Sequence, residues 1–204
     1  MKTRQGSLVI IAFTLVFALA GATSARAELS FAGMDGTWWK TTKQLDTGYL
    51  FPPVTDDGTQ VKAKKYKNKE KPGYMFVPAG SFDETTSTYD DVVLIDYDKA
   101  TKIWLVSSPY AFVVHGGTPN DFVGHTDGSE PPEEGVTMAL TVRVTLTEDK
   151  KNPGTIKAGQ LRTLGSSLLM KIPAVVTFAG KTDFRAKWIP ASKVPDDVMS
   201  AVIP

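Results

Sequence analysis

Val136–Thr147 reads VTMALTVRVTLT. Val136, Met138, Leu140, Val142, Val144 and Leu146 fall on one face of an extended chain, and Thr137, Ala139, Thr141, Arg143, Thr145 and Thr147 on the other. Side chains of a strand alternate between its two faces, so this period of two is that of a β-strand with one apolar and one wet side. Glu148–Gly154 (EDKKNPG) follows as a turn, with Asn-Pro-Gly supplying the chemistry.

Working outward, shorter stretches repeat the pattern. Thr37–Leu45, Gly48–Val54, Gln60–Lys67 and Tyr74–Val77 precede the central stretch. Asp91–Asp96 and Lys102–Ser107 flank Tyr97–Thr101 as one hairpin, and Ala111–His115 follows Pro109. Beyond the turn come Thr155–Thr163, Leu168–Ile172, Ala174–Phe178 and Thr182–Ile189, with breaks expected at Gly165-Ser166-Ser167 and Pro173. Gly116–Gly135 is left as one long loop. Pro195-Asp196-Asp197 before Val198–Ile203 places proline and acids in a first helical turn, so a short C-terminal helix is expected. With no helix-length apolar stripe between strands, a βαβ architecture is not expected. The expectation is an all-β fold: a single antiparallel barrel of about 8–10 strands, or alternatively a β-sandwich.

The first 27 residues stand apart from this pattern. Lys2 and Arg4 precede the apolar run 8–22, and Ala25-Arg26-Ala27 matches an A-x-A cleavage site. Residues 1–27 therefore read as a secretory signal peptide cleaved after Ala27, and 28–204 as a single β domain, exported to the periplasm or outside the cell. The leader holds Lys2, Arg4 and Arg26 and no acid, so its removal takes the formal charge from +1 to below zero. Such a balance gives no electrostatic reason to bind intracellular nucleic acid. The chain has no cysteine, which excludes a disulfide scaffold, a thiolate metal site and a Cys nucleophile.

Gly36-Thr37-Trp38 opens the first strand stretch, and Arg185 lies in the last. This resembles the lipocalins and other calycins, in which a G-x-W tryptophan closes the narrow end of a barrel and an arginine from the last strand packs across it. The resemblance implies Trp38 and Arg185 as the barrel-closing pair, and an interior that holds a small hydrophobic ligand. It covers these two segments; the middle motif and the disulfide of that family have no counterpart here. From the residues alone, Trp38 and Trp39 are neighbours on a strand, so one points in and one out.

Three sets of residues carry the functional candidates. Trp104, Phe112, Met138, Leu140 and Val142 are apolar strand residues that would line a ligand pocket; the same pattern also describes ordinary core. His115 and His125 with Asp121 and Asp127 are weak candidates for a divalent metal, since no recognised ligand spacing joins them. Lys62, Lys64, Lys65, Lys67 and Lys69 form a cationic run suited to an anionic surface polymer, or to a solvated edge. No nucleophile motif and no cofactor motif is present, and an enzyme is not expected. The leading expectation is a non-enzymatic, exported binding protein for a small hydrophobic ligand. The alternatives are a surface or matrix module that binds an anionic polymer or itself, and an outer-membrane β-barrel.

Overall fold

The computed structural model describes residues 28–51, 62–69, 73–107, 109–129, 136–172 and 176–202. Its strands are β1 (Thr37–Phe51), β2 (Lys64–Lys69), β3 (Tyr74–Val77), β4 (Phe82–Asp83), β5 (Thr88–Asp98), β6 (Ile103–Val106), β7 (Tyr110–Thr118), β8 (Asp121–Ser129), β9 (Val136–Glu148), β10 (Ile156–Ile172) and β11 (Val176–Ile189). A 3-10 turn, Phe31–Met34, precedes them; a second, Ala191–Lys193, leads into helix α1, Asp196–Val202. The strands form one antiparallel sheet in the order β11-β10-β9-β8-β7-β5-β3-β1, and β11 pairs back onto β1 from Trp38↔Ile189 to Phe51↔Thr177. The sheet thus closes on itself in a barrel-like ring. β2 pairs the far half of β1, while β4 and β6 flank β5. The all-β fold and the short C-terminal helix are those expected from the sequence.

Several strands run longer than their sequence suggests, because bulges carry them through the expected breaks. Thr37–Leu45 and the described part of Gly48–Val54 are one strand, with a bulge between Thr41 and Lys43. Gly165-Ser166-Ser167 interrupts nothing either: β10 continues with a bulge between Thr163 and Gly165. Where the β10–β11 ladder skips from Arg162 to Leu168, two hydroxyls stand in for main-chain groups. Thr163 Oγ1 donates to the Phe184 carbonyl (3.0 Å) and accepts from its N–H (2.8 Å). Ser166 Oγ does the same at Thr182, at 2.7 and 2.9 Å.

The expected loop Gly116–Gly135 is a further correction. Most of it is the β7–β8 hairpin, turned at Pro119-Asn120; residues 130–135 lie outside the described residues. Gly117, at φ 124°, lies in the region that favours glycine, and a side chain there would strike the Asp121 carbonyl. Glycines therefore serve strand geometry here, where composition suggests a loop.

The core lies in two layers. Inside the ring, Met34, Trp39, Phe122, Val144, Leu161 and Phe184 belong to one cluster of buried residues. Val142, Val144 and Leu146 of β9 are buried, so its apolar face is the inner one. Trp39 is fully buried; its Nε1 donates to Thr37 Oγ1 (2.9 Å), which in turn donates to the Met34 carbonyl. The second cluster lies on the opposite face of β1, β3 and β5, where Val194 and Val198 cover Trp38, Tyr74 and Ile95. That cover explains why Val92–Ile95 is apolar on both faces: Val92 belongs to the inner cluster and Ile95 to the outer one.

Candidate functional site

Beyond Trp39 along β1, the ring walls a partly open cavity of about 330 Å³. Its walls come from β1, β3, β5, β7, β8, β9, β10 and β11, so the closure of the sheet creates it. Phe112, Met138, Leu140 and Val142, four of the five expected lining residues, face it. Val92, Leu94, Leu161, Leu168 and Phe184 complete much of the apolar wall. The fifth expected residue, Trp104, stands outside, where its ring meets Tyr74 and Tyr97 edge-on and its Nε1 donates to Asp197 Oδ2 of α1 (2.9 Å). Its position follows from alternation: Trp104 pairs with Tyr97, and its neighbours Ile103 and Leu105 pair with Asp98 and Asp96.

A polar group interrupts the apolar wall. Asp46 and Asp96 both face the cavity, as do Gln44, Ser107, Thr126 and Thr182. Burial raises the Asp46 carboxyl above the ordinary carboxylate range, opposed by a hydrogen bond from Thr182. Burial alone raises Asp96. Thr126 is 8% exposed, and its Oγ1 is buried with no hydrogen-bond partner among the described residues. Among the described residues, no lysine, arginine or histidine lines the cavity.

Sequence reasoning missed Asp46 and Asp96, and the cause is local. Trp39 and Thr41 are buried; strict alternation would then bring Lys43 and Leu45 inward. The bulge between Thr41 and Lys43 reverses the parity, so Gln44 and Asp46 turn in and Lys43 turns out, to pair with Asp183 (2.5 Å). Asp96 follows Val92 and Leu94 at a spacing of two, and that signal was readable once the inner face of β5 was known.

The remaining candidates lie elsewhere. Trp38 stacks on Phe76 (4.5 Å between ring centres) in the outer cluster, while Arg185 is exposed and pairs with Asp183 (3.2 Å). Trp38 is in register with Ile189 and Arg185 with Lys43, roughly 13 Å apart along β11 at about 3.3 Å per residue. The expected barrel-closing pair is therefore not formed, and the inward tryptophan is Trp39. His115 and His125 do approach each other (5.8 Å between ring centres), with His125 Nδ1 at 3.1 Å from Thr141 Oγ1. Asp121 instead forms a two-pronged pair with Arg143, through Nε at 2.7 Å and through Nη2, which holds its carboxyl below the ordinary range. The side chain of Asp127 lies outside the described residues, and among those described no three metal-ligating groups converge.

Lys64, Lys65, Lys67 and Lys69 are exposed on the edge strand β2, and Lys62 is exposed just before it. Tyr66 meets Phe178 edge-on (5.2 Å).

No protein-family model and no curated protein matches the chain.

Proposed function

We propose that this chain is a non-enzymatic, exported binding protein that takes a small, largely apolar ligand into the barrel. The observation that carries the reading is the cavity of about 330 Å³, within the size range of small-molecule pockets and walled by Phe112, Leu140 and Val142 beside a few polar groups. The faces of β9 support it over an outer-membrane barrel. Val142, Val144 and Leu146 turn inward, and Thr141, Arg143 and Thr145 turn outward, the inverse of a lipid-facing surface. The β2 lysines are read as having the ordinary task of blocking edge-to-edge pairing, since β2 pairs only β1 among the described residues.

Titration with the neutral dye Nile red tests the reading. A saturable fluorescence rise is expected, and it should be lost in Val142→Trp, which fills the cavity from β9. An unsaturable response, or one unchanged in that variant, would remove the reading.

A further inference from the structure

The outer face around the seam carries charge that the sheet itself does not need. Arg143 of β9 stands in register opposite Arg162 of β10, Arg162 opposite Arg185 of β11, and Arg185 opposite Lys43 of β1. Lys187 of β11 stands opposite Lys40 of β1. Val144, Leu161, Ala186 and Trp39, their neighbours along the strands, are buried inside the ring, so the basic side chains turn outward. Like charges directly opposite across strands are destabilising. Among the described residues, the acids in ion pairs with them are Asp121, on Arg143, and Asp183, shared by Lys43 and Arg185. A further row, Lys181, Thr47 and Lys67, runs from β11 through β1 to β2, where Lys65 and Lys69 are also exposed. Cations thus cover the outer face of five neighbouring strands, in a chain whose formal charge is below zero without its leader. Exposed acids stand across the ring instead: Asp90 and Asp91 of β5, four strands from β10, and Glu84 in the turn before β5.

A second observation lies on the same face. Tyr49 and Phe51 of β1 are 46% and 44% exposed, with ring centres 6.4 Å apart, and Tyr49 is in register with Lys65. Leu164, 52% exposed, emerges from the β10 bulge two residues past Arg162.

We propose that this face docks on an anionic lipid bilayer, with the basic rows against the headgroups and Tyr49, Phe51 and Leu164 reaching the boundary between headgroups and acyl chains. Docking here does not depend on the cavity. Each basic side chain near such a surface strengthens binding by about fivefold. Aromatic and apolar side chains beside the cations favour the membrane interface itself. The shape of the patch selects a surface over a linear polyanion. It spreads roughly 19 Å across five strands at about 4.8 Å per strand, on the convex side of the ring. A polyanion also offers no apolar layer to Phe51 and Leu164. The β2 lysines that block edge pairing extend the same face.

The chain has no cysteine, so one introduced residue can carry a fluorophore at a chosen place. The test labels the full chain with the dye NBD at Thr47→Cys, on the basic face, or at Glu84→Cys, across the ring. Each is titrated with phosphatidylcholine vesicles that contain or lack phosphatidylglycerol. The Thr47 label should shift to the blue with phosphatidylglycerol vesicles alone, and added salt should reverse the shift. The Glu84 label should stay unchanged; residues 1–27 are common to both, so their own attraction to lipid does not produce the difference. Arg162→Gln/Lys187→Gln should weaken binding about 25-fold, two steps of about fivefold. The same variant should melt no lower than the parent, because it removes opposed like charges, so its loss of binding is not a loss of fold. An equal response of the two labels, equal binding to neutral vesicles, or binding unchanged in the double variant would overturn the proposal. Binding to soluble polyphosphate without binding to vesicles would assign the face to a linear polyanion and overturn it as well.

Discussion

Asp46 and Asp96 lie where a charge is poorly solvated, and that has a sign in pH. Burial raises both carboxyls above the ordinary value near 3.8, so between that value and the raised one the folded chain holds protons that the unfolded chain has lost. Stability contributed by these groups is therefore greatest at low pH and falls as pH rises through the window above 3.8. Asp46→Asn and Asp96→Asn should each raise the melting temperature at pH 7, and the gain should shrink as pH is lowered to 4, read by circular dichroism. A gain that does not change with pH would contradict the burial of these carboxyls. Trp39 sets the opposite kind of demand. It is fully buried, and a methyl group on Gly159 would meet its ring at 2.8 Å. Trp39→Ala should cost about 4 kcal/mol in denaturant unfolding, the usual loss for a large buried aromatic. Trp39 was legible as one half of an in-or-out pair, but its direction was not, since the register of β1 fixes it. Asp46 was illegible for a related reason: among 22 acidic residues only its parity distinguishes it, and the bulge beside it reverses that parity.

Among the elements, β9 was the most readable, because its register with β8 runs without a bulge from Thr137 to Thr145, and the bulges on its other side belong to β10, so its inner residues never change parity. β10 was misread for the converse reason. Gly165 and the serines after it have the composition of a turn, while Thr163 and Ser166 hold the strand in the sheet through their hydroxyls. Thr163→Ala and Ser166→Ala should each cost about 1–3 kcal/mol, because main-chain groups of Phe184 and Thr182 lose their partners. Thr163→Ser, which keeps the hydroxyl, should lose less. Helix α1 was legible from its acids, Asp196 and Asp197, and from Pro195. Its task was not: it roofs Trp38, Tyr74 and Ile95 on the outside of the ring. Truncation before Pro195 should leave the strand spectrum of the barrel intact and expose Trp38 to iodide quenching; unchanged quenching would refute that role.

At the scale of the molecule, the order of strands in the ring follows the chain closely, so most pairings join near neighbours in sequence. The exception is the seam, where β11 pairs β1 along nearly its whole length. Neither strand signals this in its own sequence. It follows from the sheet curling until β11 meets β1, which pairs two borders that an open sheet would leave exposed. Loss of β11 should therefore unfold the whole barrel, since β1 and β10 both lose a partner; a chain ending at Ile172 that retains a cooperative melting transition would contradict this. The seam also fixes an order of events during synthesis. The first strand made must wait for the last, so nascent intermediates carry two unsatisfied borders, and the hollow interior exists only once the 14 residues of β11 have arrived.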